Sequence, residues 1–138
     1  MLASSYIIGI FNISPNINQE ANASLLREMP IVETICAVIF APIIEELVFR
    51  RGLKKFTNNK HIYAYTTGLI FGFVHIISSL NGVNDLPMLL YLIPYSSVGI
   101  ALGYAYHQTN NIYGTITIHS LHNAITIIEM IILGGLIW

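Results

Sequence analysis

The sequence predicts an all-α fold, a bundle of about four membrane-spanning helices behind a short polar N-terminal segment. Apolar residues make up 54% of the 138 residues and charged residues only 9%, whereas soluble domains carry about 25% charged residues. Apolar stretches of about 20 residues, long enough to cross a hydrocarbon layer about 30 Å thick, alternate with short polar breaks. Successive helices of this kind leave no polar face for water, so a membrane protein is favoured over a soluble bundle.

The elements follow from these breaks. Residues 1–24 form the N-terminal segment, or the remnant of a preceding helix, because the apolar piece from Tyr6 to Phe11 is too short to span a membrane. Residues 25–138 form the core. A proline is tolerated at the first position of a helix, so the first span begins at Pro30. The four predicted spans run from about Pro30 to Leu53, Tyr63 to Leu80, Leu86 to Tyr106 and Ile112 to Trp138.

The charge pattern predicts the orientation and excludes one class of partner. Five of the six basic residues lie between Arg50 and Lys60, and the net charge is −1. Nucleic-acid binding needs a basic field that this chain lacks. Basic loops concentrate on the cytoplasmic side, so we expect a multi-pass protein of the cell membrane with the bilayer as a partner and the 50–60 loop inside. No pattern indicates an oligomeric state.

The first span carries ionisable residues, which are costly in a membrane and usually mark function. Glu46 and Arg50 are four residues apart and share a helix face, a spacing that suits an ion pair. Glu45 points about 100° away and lacks that partner. Pro42 is expected to free the carbonyl of Val38 and admit water near Glu45. The alternative is an interfacial salt bridge without a catalytic role.

The second and fourth spans carry histidines. His75 follows Phe71 by one helical turn, and His119 is four residues before Asn123. Structural hydrogen bonds between helices would explain each of them taken alone. Taken with Glu45, they place a carboxylate, two imidazoles and an amide at one level of the bundle. Such a set, in a cavity open to the cytoplasm, suits the activation of water.

Other hydrolytic chemistries fit less well. Asp85 is the single aspartate, which excludes a pair of catalytic aspartates, and a His-Glu-x-x-His zinc sequence is absent. The serine pairs 78–79 and 96–97 do not lie in a nucleophile-elbow sequence. Cys36 is alone, which excludes a multi-cysteine metal cluster. Glutamate is therefore the best candidate for the base.

Three motifs in order resemble one family. Glu45-Glu46-x-x-x-Arg50, Phe71-x-x-x-His75 and His119-x-x-x-Asn123 lie on successive apolar stretches. Together they resemble the CPBP family of intramembrane proteases, which includes CAAX-processing and bacteriocin-related (Abi) proteins, over about Leu25 to Trp138. Family members generally have further spanning helices before the glutamate motif, so we expect that the chain is an N-terminally truncated member.

The resemblance implies roles for these residues. Glu45 would be the general base, assisted by His75, while His119 and Asn123 would hold the water or stabilise the oxyanion. Structural support would come from Glu46, Arg50 and Phe71. No cofactor is required for this chemistry. If a divalent metal such as zinc takes part, its ligands would be His75, His119 and Glu45.

The predicted function is an intramembrane endopeptidase acting from the cytoplasmic side on a membrane-associated, prenylated or bacteriocin-type peptide. The alternative is a non-proteolytic scaffold or bacteriocin immunity protein that keeps the polar cluster for helix packing, since each buried hydrogen bond between membrane helices is worth about 0.6–2 kcal/mol. A transporter is disfavoured because no pair of broken midplane helices is indicated. No catalytic role is assigned to Glu33, Glu129 or His122.

Overall fold

A computed structural model describes residues 10, 15–80 and 83–137, with side chains described up to residue 132 except at 83–85. Most of the Tyr6 to Phe11 piece, and Trp138, lie outside these residues. The described chain is helical and contains no strand, which confirms the all-α bundle. The helices are α1 (Ile17–Glu28), α2 (30–52), α3 (Lys60–Ile76), α4 (Leu92–Thr109) and α5 (Ile112–Ile137), with 3₁₀ segments at Lys54–Phe56, Ile77–Ser79 and Val83–Tyr91.

Three helical segments are long and apolar enough to cross a membrane within the described part of the chain. They are Lys60–Ser79, Leu86–Thr109 and Ile112–Ile132. Large apolar side chains on the outside of the bundle, such as Leu69 and Ile128, are more than half exposed, as a lipid-facing surface requires. The first predicted span, α2, is long enough but is not apolar enough to be counted with these three, because every 18-residue stretch of it carries at least three charged residues.

Helix α2 alternates between α-helical and π-helical geometry. Its consecutive segments are α-helical Pro30–Ile35, π-helical Cys36–Phe40, α-helical Ala41–Glu46 and π-helical Leu47–Gly52, and the residues at the three junctions stay in the right-handed helical region. The wider turn is visible at Ala41, whose N–H donates to the carbonyl of Cys36, five residues back. π-helical turns inside helices are frequent at functional sites.

Helices α3 and α4 form the closest pair in the bundle because small residues line the seam between them. Gly68 lies against Ile100, where an added Cβ would come within 2.5 Å of the Ile100 backbone nitrogen. One turn later, Gly72 lies against Ser96. Small residues at four-residue spacing let membrane helices approach closely. The seam packs α3, which carries His75, closely against α4.

Polar residues end and start the helices at the breaks that the sequence indicates. The side chain of Asn59 accepts hydrogen bonds from the N–H groups of His61 and Ile62 and starts α3. Asn110 has a left-handed backbone, with φ of 51°, and separates α4 from α5. Pro94 falls in the first turn of α4, where the first N–H groups of a helix have no partner within it.

Helix α1 packs across one end of the bundle. Its N–H at Ile17 donates to the hydroxyl of Ser79 at 3.0 Å, and the Asn16 amide donates to the Tyr95 hydroxyl at 3.4 Å. These contacts tie α1 to the end of α3 and the beginning of α4. We call this the cavity end of the bundle, and we call the opposite end, at residues 50–60 and 109–112, the basic end. Helix α1 runs without a break past residue 24, the predicted boundary between the N-terminal segment and the core.

Candidate functional site

The carboxylate of Glu45 on α2 lies between two imidazoles from other helices. Nε2 of His75 is 3.9 Å from Oε1, and Nε2 of His119 is 3.6 Å from Oε2. Both distances exceed a direct hydrogen bond, so a bridging water is the arrangement to consider. Glu45 is 24% exposed, whereas the neighbouring Glu46 is fully buried. The two adjacent glutamates therefore lie in different surroundings.

The ring of His75 is held on three sides. Its Nδ1 is 2.8 Å from the carbonyl oxygen of Phe71, an atom that can only accept, so Nδ1 carries the hydrogen. The Phe71 ring packs on one face, with centroids 4.3 Å apart. Tyr95 of α4 stacks on the ring at 4.8 Å with an interplanar angle of 25°. The remaining nitrogen, Nε2, is directed at Glu45.

His119 is oriented by the buried glutamate. Its Nδ1 lies 3.1 Å from Oε1 of Glu46, and Nε of Arg50 lies 3.1 Å from the other oxygen of the same carboxylate. All three side chains are at most 3% exposed. The spacing of Glu46 and Arg50 predicts their ion pair. The contact with His119 joins residues 73 positions apart, and no sequence pattern indicates it.

Arg50 is the positively charged partner of the buried Glu46 carboxylate. Its side chain is fully buried, and its two terminal nitrogens have no hydrogen-bond partner among the described residues. The guanidinium carbon instead lies 5.5 Å from the centre of the Phe71 ring, within the range of a cation–π interaction. The Tyr63 hydroxyl donates to the Arg50 backbone carbonyl at 2.6 Å. Phe71 thus contacts both the arginine and the histidine pair.

Asn123 connects α5 to the irregular part of α2. Its amide donates to the carbonyl oxygen of Ala37 at 2.8 Å. In the π-helical register that carbonyl would take the N–H of residue 42, which is a proline and has none. Asn123 thus occupies a carbonyl that Pro42 leaves without its π-helical donor. The π-helical turn shifts the hydrogen-bond register by one residue, which is why Ala37 as well as the predicted Val38 bears on Pro42.

A cavity of about 460 Å³ adjoins these groups, a size typical of ligand sites. On α2 its lining residues run from Glu33 to Glu45, and on α5 from His119 to Met130. On both helices these residues lie between the level of Glu45 and His119 and the cavity end. The sequence predicts an opening toward the basic loop, but buried Phe49, Arg50 and Tyr63 fill that end of the bundle.

Comparison with known proteins agrees with this architecture. Residues 27–125 match the model of a family described as type II CAAX prenyl endopeptidase Rce1-like. The chain belongs to the Rce1-like family. It is 31% identical, over 115 residues, to the UPF0177 protein YaiH of Lactococcus lactis subsp. lactis (strain IL1403), and the match covers 82% of this chain. The chain spans 44% of that relative's length. No solved structure matches it significantly.

Membership in the Rce1-like family, a protease family of membranes, confirms the resemblance inferred from the sequence motifs. The matched range contains every residue that the sequence analysis singled out as catalytic or supporting: Glu45, Glu46, Arg50, Phe71, His75, His119 and Asn123. The structure brings Arg50, His75 and His119 to the two glutamates and packs Phe71 against these three side chains. Asn123 lines the same cavity and donates to Ala37. Rce1-like membership and three apolar helices identify a membrane protein.

Other residues at the site were not assigned a role from the sequence. Tyr95 is missed because a tyrosine in an apolar helix has no signature beyond its composition, yet it stacks on His75. His122 and Glu33 both line the cavity. Glu129 is half-buried on α5 and does not line it.

The nitrogen atoms that face Glu45 define what the site can do. Because both Nδ1 atoms face acceptors, neutral His75 and His119 present lone pairs at Nε2. A carboxylate beside two lone pairs needs hydrogens between them, which a water molecule supplies. The alternative occupant named from the sequence is a metal held by the same three residues. Among the described residues, no group of three or more His, Cys, Asp or Glu side chains is arranged to hold a metal ion.

Proposed function

We propose that this chain is the catalytic core of an intramembrane endopeptidase in which Glu45 activates a water molecule. One observation carries the proposal: the Glu45 carboxylate faces the cavity between the Nε2 atoms of His75 and His119, while both Nδ1 atoms are engaged elsewhere. Family membership supports peptide-bond hydrolysis in a membrane. The geometry supports glutamate as the base, since it is the acceptor that opens onto the cavity.

In the proposed first step, Glu45 takes a proton from water while the water oxygen bonds to the carbonyl carbon of the peptide. His75, fixed by Phe71 and Tyr95, shares the second water hydrogen through Nε2. The carbonyl oxygen becomes an oxyanion. In the second step the carbon–nitrogen bond breaks, the oxyanion returns to a carbonyl, and the proton held by Glu45 goes to the leaving amine.

Two groups are placed to hold the water and to stabilise the oxyanion. His119, oriented by the contact of its Nδ1 with Glu46, places Nε2 3.6 Å from the Glu45 carboxylate and helps to hold the water there. Asn123 has a second amide hydrogen besides the one that it donates to Ala37. Donors fixed in advance at a site that excludes water are the largest single contribution in many hydrolases.

We propose that the substrate is a membrane-associated peptide, of the prenylated or bacteriocin-type class, that enters from the cavity end. The cavity has more apolar than polar lining, which suits an apolar peptide segment. With the basic end at the cytoplasmic face, the catalytic residues lie toward the cytoplasm, about 10 Å from the start of α5 at His119. Cys36 lines the cavity, so labelling it with a membrane-impermeant maleimide from either face reports the side of the opening.

The experiment is cleavage of a mixed peptide pool, including prenylated peptides, in proteoliposomes, with products identified by mass spectrometry. Glu45→Gln keeps the shape and removes the base, so we expect no cleavage by that variant. Glu28→Gln is the matched control, because Glu28 is exposed on α1 and does not line the cavity. Cleavage by Glu45→Gln at the rate of the unchanged protein would exclude the mechanism.

The same pair of variants distinguishes a protease from the alternative function, a scaffold or immunity protein. A scaffold keeps its cellular function with Glu45→Gln, whereas a protease keeps its fold and loses turnover. A chelator in the assay tests the metal alternative. Glutamate-and-water chemistry predicts unchanged cleavage after metal removal, and loss of cleavage that added zinc restores would assign a metal to the site.

A further inference from the structure

A second carboxylate, Glu33, lies in the same cavity and has no part in the proposed chemistry. It is 6% exposed and lines the cavity near the start of α2. Within the described part of the chain, its side chain makes no hydrogen bond or ion pair. A buried carboxylate without a partner is costly. An acidic residue in the first turn also favours the helix N-terminus, but an exposed side chain provides that benefit without this cost.

Glu33 and Glu45 mark the two ends of one stripe on α2. Residues 33, 37, 41 and 45 are each four apart, and all four line the cavity. The two between the glutamates are alanines, whose short side chains leave room along the stripe. Twelve residues of helix correspond to about 18 Å. An extended peptide covers that length in about five residues.

Polar groups of α1 line the same cavity as this stripe. Asn18 and Asn22 both line the cavity, and they are four residues apart on one face of α1. Their amide oxygens are acceptors, as are both oxygens of Glu33. An ammonium group has three donors and no acceptor. A set of a carboxylate and amides in a mainly apolar cavity therefore matches a primary ammonium group.

We propose that Glu33, Asn18 and Asn22 form a specificity subsite that binds a primary ammonium group of the substrate peptide, about five residues from the bond that is cut. The group is either a lysine side chain or the free amino terminus of the peptide. The inference rests on the proposed peptidase function for the identity of its ligand. It adds a charge requirement at a defined distance from Glu45.

The test measures binding separately from cleavage. Fluorescent apolar peptides, each with one lysine at a different position, are titrated against the Glu45→Gln protein in nanodiscs of zwitterionic lipid. Matched peptides carry acetyl-lysine at the same position, with a free or an acetylated amino terminus. We expect about tenfold tighter binding of the charged peptide at one lysine position, or of the free amino terminus. Glu33→Gln should abolish the preference, and Glu28→Gln should retain it.

The outcomes separate the two proposals. Equal binding of charged and acetylated peptides at every position overturns the subsite, even where the unchanged protein cleaves. A charge preference that depends on Glu33, in a protein that cleaves none of the peptides, supports the subsite and counts against the peptidase. A preference that Glu28→Gln abolishes and Glu33→Gln retains also overturns the subsite. The peptide comparison needs no change at Glu33, so it decides the question even if Glu33→Gln does not fold.

Discussion

Glu46 accepts a hydrogen bond from Nδ1 of His119 at 3.1 Å, across two helices and 73 residues. The contact fixes which nitrogen of His119 faces Glu45. The adjacent glutamates on α2 thus differ in position: Glu45 faces the cavity, and Glu46 orients the His119 imidazole from the buried side. The arrangement parallels the carboxylate that orients the histidine of a serine protease.

Glu46→Gln tests the orientation of His119. The amide can present its nitrogen to Nδ1, which disfavours the hydrogen at that position and turns the tautomer over. We expect kcat to fall by at least about tenfold with a small change in KM, because substrate binding is not touched. Steady-state kinetics with a cleaved peptide measures both values. Unchanged kcat in a folded Glu46→Gln protein would contradict this role.

Arg50→Ala tests the stability of the buried ion pair. Removing the guanidinium leaves the Glu46 carboxylate buried without its partner, which typically costs about 3–5 kcal/mol. We expect a clear drop in the midpoint of thermal unfolding in detergent. Arg51→Ala is the matched control, because Arg51 is exposed and the same loop keeps its remaining charges. Equal midpoints for the two variants would show that the Glu46–Arg50 pair contributes nothing to stability.

Substitution of Tyr95 tests whether its stacked ring holds His75 in place. Tyr95→Leu removes the stacked ring, whose contact is worth about 0.5–1.5 kcal/mol, and we expect cleavage to slow by about three- to tenfold as His75 moves away from Glu45. Tyr95→Phe keeps the ring and loses the long 3.4 Å contact with Asn16. It should retain nearly full activity. If the Tyr95→Phe and Tyr95→Leu variants cleave equally slowly, the hydroxyl matters rather than the ring.

Gly72→Ala tests the seam between α3 and α4. The added Cβ would come within 2.2 Å of the Ser96 hydroxyl oxygen and 2.9 Å of its backbone nitrogen, so the helices must separate. Overpacking of this kind costs about 1–3 kcal/mol, and unfolding in detergent measures it. At Gly114 the nearest atom would be 3.5 Å away, so Gly114→Ala should be neutral or stabilising. Equal effects of the two substitutions would exclude a close seam.

The sequence predicts local relationships better than relationships between helices. The Glu46–Arg50 pair and the packing of Phe71 on His75 follow from four-residue spacing, which a helix enforces. The meeting of Glu45, His75 and His119 was inferred from the cost of polar groups in a membrane. The hydrogen bond between His119 and Glu46 depends on how helices rotate against each other, which spacing along the chain does not encode.

Two further features were not predicted, for different reasons. The π-helical segment Cys36–Phe40 has no composition that separates it from an α-helix. The direction of the cavity depends on which end of the bundle bulky side chains fill, and Phe49 and Tyr63 look like any other apolar core residues in the sequence. The predicted start at Tyr63 and the predicted end at Tyr106 lie three residues from the observed Lys60 and Thr109, because polar capping and turn residues at these breaks have local signatures.

The alternation of helix type in α2 bears on how this chain tolerates changes in length. Residues four apart drift by about 40° around an ideal α-helix, whereas a π-helical turn holds more residues and reverses that drift, which keeps Glu33 and Glu45 on one side. Deleting a single residue within 36–40 and restoring regular winding would leave the two glutamates within about 20° of one face, whereas regular winding without a deletion would separate them by about 120°. We therefore expect this segment to accept the loss of one residue, and an added residue elsewhere between the glutamates to rotate one of them by about 100° relative to the other.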